Sequence, residues 1–182
     1  LSTWKLSFSK RVWWLIVNLG TAFLAAAVVG FFAGTIEKLA ILAAYMPVIA
    51  GMGGNASAQA MAVTVRGLSM GEVDRRTLRH VLRRETIVGV LTGLVCGAIT
   101  FIVVLAFPTE GITQNRADMR GLVVWSALAI NQTIACSSGA AIPFIMQKLG
   151  FDAAQSATIF ATTLTDVVGF LALLGLASIV LL

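Results

Sequence analysis

Residues 151–182 read FDAAQSATIFATTLTDVVGFLALLGLASIVLL, an apolar stretch with one acid at its start, Asp152, and one near its middle, Asp166. At about 100° per residue of helix, the polar side chains that share one face with Asp166 are Thr162, Gln155 and Asp152. The two acids are 14 residues apart, which corresponds to about 21 Å of helix rise. A carboxylate at mid-bilayer depth costs at least ~2.5 kcal/mol, so Asp166 is expected to face protein or water rather than lipid. This polar stripe of Asp152, Gln155, Thr162 and Asp166 therefore predicts a cation path, with one acid at the membrane surface and the other near the midplane.

The composition is that of an integral membrane protein. Of the 182 residues, 58% are hydrophobic and 12% are charged, whereas charged residues make up about 25% of an ordinary soluble domain. Five stretches are long enough to cross about 30 Å of hydrocarbon as helices, which satisfy their own backbone polar groups. They are residues 12–33, 36–66, 86–107, 122–149 and 153–182. The predicted fold class is therefore all-α, a polytopic membrane protein with five transmembrane helices per subunit.

The basic residues predict the orientation of these spans. The net charge is +5, and ten of the 13 Lys and Arg residues lie before the first span, between the second and third, or after the fourth. They are Lys5, Lys10, Arg11, Arg66, Arg75, Arg76, Arg79, Arg83, Arg84 and Lys148. Because cytoplasmic loops carry an excess of Lys and Arg, we expect a cytoplasmic N-terminus and an outer C-terminus in a plasma (inner) membrane. No nucleic-acid-reading motif accompanies these residues, and those within 69–84 favour an amphipathic helix on anionic membrane lipid.

The second span contains the least regular stretch of the sequence. Pro47 lacks a backbone donor, and three glycines follow it within seven residues. The helix is expected to bend or open here, which would offer carbonyl groups and the amide of Asn55 to a hydrated ion. Close helix packing is the alternative reading of the glycines. Asn55 and Gln59, two amides one helical turn apart, favour a pore wall.

The third span repeats glycine at every fourth position. Gly89, Gly93 and Gly97 form a face of small residues, which is typical of close packing between membrane helices. Glu85 stands at the start of this span. We expect it to pair with a nearby arginine or to cap the N-terminal end of the helix.

The fourth span is too polar to face lipid on all sides. Its polar residues are Asn131, Gln132, Thr133, Ser137 and Ser138. We therefore expect this helix to line or support the protein interior. Cys96 and Cys136 lie in the third and fourth spans without CxxC spacing or a neighbouring histidine, so they are expected to be small buried residues, and no zinc-type cluster is predicted.

Three motifs resemble the membrane domain of the MgtE family of magnesium channels. They are PVIAGMGGNASAQAMAVTVRGL at 47–68, RRETIVGVLTG at 83–93 and IPFIMQKLGFDAAQSATIFATTLTDVVGF at 142–170. The resemblance covers nearly the whole chain, residues 1–182. It implies a five-helix membrane domain that acts as a homodimer, with a pore on the two-fold axis between the second and fifth helices of each subunit. Members of this family commonly carry cytoplasmic regulatory domains before this region, and none is recognised in this sequence.

The resemblance also implies roles for individual residues. Asp166 would coordinate the hydrated ion, and Asp152 would bind metal on the cytoplasmic side. The positions that match pore-lining places are Gly51, Gly54, Asn55, Ala58, Ala62 and Thr162. The sequence departs from the family pattern at Ser57, which stands where GGNxGxQ has its second glycine, and at Ala153, where proline is common.

The predicted function is conduction of divalent cations, with Mg²⁺ as both permeant ion and ligand. Mg²⁺ sheds water reluctantly and is held by few carboxylates, so one Asp166 per subunit, doubled by symmetry, suits a hydrated ion. The alternative is a proton- or ion-coupled secondary transporter of Mg²⁺, Mn²⁺, Co²⁺ or Zn²⁺. An intramembrane aspartyl protease would need two acids within hydrogen-bond reach, and Asp152 is too far along the helix, so we predict that the protein is not an enzyme. A purely structural subunit would tolerate replacement of Asp166 and Asn55.

Overall fold

The computed structural model of the protein describes residues 4–72, 77–107 and 114–182, and this part of the chain is α-helical without any strand. The helices are α1 (Trp4–Phe31), α2 (Ala33–Lys38), α3 (Leu42–Ser69), α4 (Leu78–Ala106), α5 (Gln114–Lys148) and α6 (Ala153–Val180). The all-α prediction is confirmed for these residues. Gly150 adopts a left-handed φ of 81° between α5 and α6, a conformation that suits glycine and lets the chain reverse within a short turn.

Four helices of the described chain are long and apolar enough to cross a membrane. These segments are Arg11–Phe31, Leu78–Ala106, Ala117–Lys148 and Ser156–Val180. The protein is therefore a multi-pass membrane protein. The helix α3 has 28 residues, which is a spanning length, but its proline, glycines and amides make it less apolar than the other four. The fifth predicted span stays a prediction.

The central helix of the bundle is α5, which packs against α3, α4 and α6. Its contact with α4 depends on glycine. A Cβ added at Gly93 would lie 2.8 Å from the Cα of Ala129, and one at Gly89 would lie 2.7 Å from the carbonyl oxygen of Gln132. Since these neighbours are backbone atoms, they cannot rotate away. The predicted packing face of the third span is confirmed.

The side-chain contacts show the direction of each long helix. One apolar cluster joins the first turns of α3 to the first half of α5 and the last half of α6, through Ile49, Leu128 and Leu173. A second cluster joins the other ends of the same three helices, through Met61 and Met146 with Ala157 and Ala161. Accordingly, α3 and α5 run in the same direction and α6 runs against both.

The helix α1 runs in the same direction as α6. The rings of Trp14 and Phe151 are 5.8 Å apart, and the hydroxyl of Thr163 donates to that of Thr21 at 2.8 Å. In α4, Gly89 lies beside Gln132 whereas Gly97, further along, lies beside Trp125, so α4 runs against α5. The N-terminal end of α1, the connection from α3 to α4 and the turn from α5 to α6 therefore lie at one end of the bundle.

Of the two expectations for the second span, a bend or an opening near its glycines, the opening is wrong, and the bend stays a prediction. The helix α3 is continuous from Leu42 to Ser69 with Pro47 inside it, and within the described residues positive φ occurs only at Gly71 and Gly150. Pro47 lies near the start of α3, where the loss of one backbone donor is tolerated. Unpaired carbonyl groups would cost several kcal/mol each in a membrane, which favours an unbroken helix.

Two expectations about the start of the third span are also wrong. Residues 78–84 do not form a separate surface helix, because α4 begins at Leu78 and continues without interruption to Ala106. Glu85 is consequently an interior residue of α4 and does not cap it. Glu85 is buried, and in the part of the chain that the structure describes it forms no ion pair. Val73, Arg75 and Arg76 lie outside the described residues.

Candidate functional site

A groove of about 340 Å³ lies between α3 and α6, and we call it the α3–α6 groove. Most of its wall is made of small residues. Five of the six positions predicted to line a pore come together here, namely Gly51, Gly54, Asn55, Ala58 and Thr162. Because the α3 glycines have no side chain, the groove reaches close to the helix backbone.

The sixth predicted position, Ala62, does not belong to the groove lining. It lies one turn beyond Ala58 on α3 and is exposed. Instead, the groove near this end is lined by Met61 and Thr158, whose sulfur and hydroxyl are 3.5 Å apart. The sequence held a usable signal for Thr158, because it precedes Thr162 by one helical turn and so shares its face.

Polar oxygen atoms line part of the groove. The hydroxyl of Thr162 donates to the carbonyl oxygens of Thr158 at 2.9 Å and Ile159 at 3.1 Å, which leaves its lone pairs able to accept. Ser57 also lines the groove. Its Oγ is buried without a hydrogen-bond partner among the described residues. This oxygen is enclosed by protein atoms and is not presented to the groove.

Asp166 lies on α6 one turn beyond Thr162 and is half-buried. A Cβ added at Gly53 would contact the side chain of Thr165 at 3.1 Å, so Asp166 is level with the Gly51 end of the groove. It is not itself among the lining residues. Within the described ranges its carboxylate forms no ion pair or hydrogen bond. It therefore provides negative charge at one end of the groove without a protein counter-charge.

Asp152 lies at the other end of α6, just before the first helical residue, and is exposed. Its carbonyl oxygen accepts hydrogen bonds from the backbone N–H of Ser156 at 3.0 Å and from the Ser156 hydroxyl at 2.8 Å. The structure does not bring Asp152 and Asp166 together. The side chain of Gln155, on the predicted stripe between them, lies outside the described residues.

Within one chain, the groove does not form a closed metal-binding site among the described residues. Among the residues described, no three His, Cys, Asp or Glu side chains come close enough to hold a metal ion. A cation at Asp166 in a single chain would therefore keep most of its water. This arrangement suits Mg²⁺, which dehydrates reluctantly and is bound through one or two carboxylates.

Asn131 on α5 supports the groove from behind. Its side chain is fully buried, and its Nδ2 donates to the carbonyl oxygen of Ile49 at 2.9 Å. A Cβ at Gly169 would lie 2.9 Å from this Nδ2, and one at Gly53 would also contact it. Asn131 thus fixes the distance between α3 and α6, which agrees with the expectation that the fourth span supports the interior.

Comparison with known proteins identifies the family. The MgtE family, described as a divalent cation transporter, matches residues 46–176. The chain belongs to the MgtE family. The matched range contains all the residues named in the α3–α6 groove as well as Asp152 and Asp166, so the site lies within the part of the chain that MgtE proteins share.

Three curated MgtE proteins are similar to this chain, and each is named magnesium transporter MgtE. The protein of Bacillus subtilis is 32% identical over 169 residues, that of Enterococcus faecalis 34% over 170 and that of Thermus thermophilus 31% over 180. These matches cover 93%, 93% and 94% of this chain. The chain spans about a third of the length of these MgtE relatives, 36% in each case.

Proposed function

We propose that this protein conducts divalent cations, Mg²⁺ in preference, along the α3–α6 groove, with Asp166 as the ion site. The observation that carries the proposal is the meeting of five predicted pore positions in one groove beside a half-buried acid. An unpaired carboxylate within a membrane helix is costly unless it meets a cation or water. The relatives named magnesium transporters support the choice of ion.

The groove suits an ion that keeps its hydration shell. Gly51, Gly54 and Ala58 leave room beside α3, and the hydroxyl oxygen of Thr162 is available to water molecules. Direct ligation by several protein oxygens is not required, because Asp166 would act through the ion's own water. Ca²⁺, which takes six to eight oxygen ligands, is served less well by this arrangement.

We infer that two chains enclose the pore. In one chain the groove is open along its side, and Asn55, which lines it, is exposed. An amide group exposed to lipid would be unfavourable. A homodimer with its two-fold axis along this groove would cover this amide and oppose two Asp166 side chains across the path.

The same arrangement makes α3 the fifth transmembrane span. It runs alongside α5 over most of its length, with contacts from Leu42 at one end to Met61 at the other. Its lower hydropathy follows from the groove, since a helix that lines a watery path need not be apolar on that side. Lys5, Arg11 and Lys148 belong to one end of the bundle, which supports a cytoplasmic N-terminus and an outer C-terminus.

The proposal is tested by Mg²⁺ uptake into proteoliposomes with a fluorescent indicator inside. Asp166→Asn should reduce uptake by about tenfold or more, because the pore loses its charge at the groove. Asp152→Asn is the matched control and should reduce uptake less, because Asp152 lies outside the groove. Size-exclusion chromatography with light scattering should give the same dimer for parent and variants. Parental uptake by Asp166→Asn would refute the ion site.

A pH-clamped version of the assay separates conduction from coupled transport. For a channel, the Mg²⁺ flux follows the Mg²⁺ gradient and voltage alone. A flux that requires an opposing proton or Na⁺ gradient would instead establish the coupled transporter.

A further inference from the structure

A second cavity lies on the opposite side of α3 from the groove, between α3, α4 and α5, with a volume of about 210 Å³. We call it the Glu85 cavity. Polar and thiol side chains line it, namely Asn55, Gln59, Glu85, Gln132, Cys96 and Cys136. Asn55 lines the α3–α6 groove as well. The magnesium path proposed above does not use this cavity, so its polar lining needs a separate explanation.

Glu85 is a buried acid without a protein counter-charge. It is 6% exposed and lies inside α4, where the neighbouring Arg83 and Arg84 are exposed. In the described segments no side chain pairs with its carboxylate. A buried charge that lacks a partner is strongly unfavourable. A cation in the cavity would supply the missing counter-charge.

Gln132 lines the same cavity, and its side chain is 2% exposed. Its Oε1 is enclosed by protein atoms and has no hydrogen-bond donor in the described part of the chain. The side-chain oxygens that can reach an ion in the cavity are therefore those of Glu85, Asn55 and Gln59.

We propose that the Glu85 cavity binds one monovalent metal cation, Na⁺ in preference, through the Glu85 carboxylate, with amide oxygens of Asn55 or Gln59 and water completing the shell. Carboxylate and amide oxygens are hard ligands that suit alkali and alkaline-earth cations. One carboxylate neutralises one positive charge. A divalent ion would leave excess positive charge inside the protein.

The other chemical classes fit the cavity less well. Soft divalent ions would need the thiols of Cys96 and Cys136 together with a further ligand, and the described residues form no such three-ligand group. A volume of about 210 Å³ exceeds the space of one water molecule, ~30 Å³, several times. A small cation with a few retained waters therefore fits.

The position of Asn55 connects this site to the groove. Since its side chain lines both cavities, an ion that draws the Asn55 amide toward Glu85 removes it from the groove wall. This link rests on the proposed function of the groove. The binding of Na⁺ does not rest on it and can be measured without any transport.

The test is equilibrium binding of ²²Na⁺ to the full chain in lipid nanodiscs, with choline replacing Na⁺ at constant ionic strength and pH. The parent protein should bind one Na⁺ per chain saturably. Glu85→Gln should weaken binding at least tenfold, and Gln59→Leu several-fold. Asp166→Asn should bind as the parent does, which separates failure of this site from failure of the groove.

Several outcomes would overturn the proposal. Absence of saturable ²²Na⁺ binding to the parent would refute the site. Displacement of ²²Na⁺ by Mg²⁺ at lower concentration than by unlabelled Na⁺ would make the site divalent. Loss of binding in Asp166→Asn with parental binding in Glu85→Gln would move the ion to the groove. The binding of parent and variants can be compared only if all of them are folded. A thermal unfolding scan in choline tests this, because each variant should unfold as cooperatively as the parent.

Discussion

The α4–α5 interface and the α3–α6 groove are both rich in glycine, but glycine serves opposite purposes in them. At Gly89 and Gly93 an added Cβ would meet backbone atoms of α5 within 2.8 Å, whereas at Gly51 and Gly54 it would meet nothing within 4 Å. In the first region the missing side chain is replaced by another helix. In the second it leaves space. The same residue type therefore marks either a contact or a path, and only the neighbouring helix decides which.

The largest effect is expected where the space of the groove is filled. Gly54→Leu should reduce Mg²⁺ uptake by about tenfold or more, because an apolar side chain in a narrow water-filled path blocks a hydrated ion. The thermal midpoint should change little, since no atom lies within 4 Å of the new Cβ. Gly20→Leu, at an open position on α1 outside the groove, is the matched control and should leave uptake at the parental level. Parental uptake by Gly54→Leu would mean that ions do not pass this position.

A smaller effect, on stability rather than transport, is expected at the packed glycines. Gly93→Ala forces a methyl group against the Cα of Ala129, and overpacking of this kind costs about 1–3 kcal/mol. For a chain of this size each kcal/mol lowers Tm by about 2–4 °C. Thermal unfolding in detergent measures the change, with Gly51→Ala as the control that should keep the parental Tm. Equal Tm values for the two variants would remove the distinction between the regions.

The smallest effect is expected from two neighbouring threonines that face different helices. Thr163→Val removes an interhelical hydrogen bond to Thr21, and such bonds in membranes are worth on average ~0.6 kcal/mol. Tm should fall slightly while uptake stays parental. Thr162→Val, one residue earlier, faces the groove and should reduce uptake about two- to threefold by removing an oxygen that water can use. If Thr163→Val reduced uptake and Thr162→Val did not, the path would lie on the α1 side of α6.

Much of the architecture could be predicted from hydropathy and spacing. The positions of the long helices, the glycine face of α4 and the turn at Gly150 follow from local chemistry that neighbouring elements do not override. The groove was predictable mainly through the family resemblance, which picked out Gly51, Gly54 and Asn55. Thr162, by contrast, also follows from its place on the same helix face as Asp166.

The expectations that are wrong concern features that depend on contacts between helices. Pro47 and the glycines after it suggested an opened helix, but the carbonyl of Ile49 is held within a continuous helix and also accepts from Asn131. Glu85, among several arginines, suggested an ion pair. Glu85 instead lies on the buried side of α4, away from the exposed arginines. It shares that side with Gly89 and Gly93, which pack against α5.

The central position of α5 has a consequence for how the protein is made. The helices α3 and α4 follow one another in the chain but touch each other little, and each packs mainly on other helices, above all α5. Both leave the ribosome before α5 has been synthesised. At about 5–20 residues per second, the 35 residues of α5 take a few seconds to appear. During that interval α3 and α4 lack the helix on which each mainly packs, so we expect assembly of the bundle to begin only when α5 arrives.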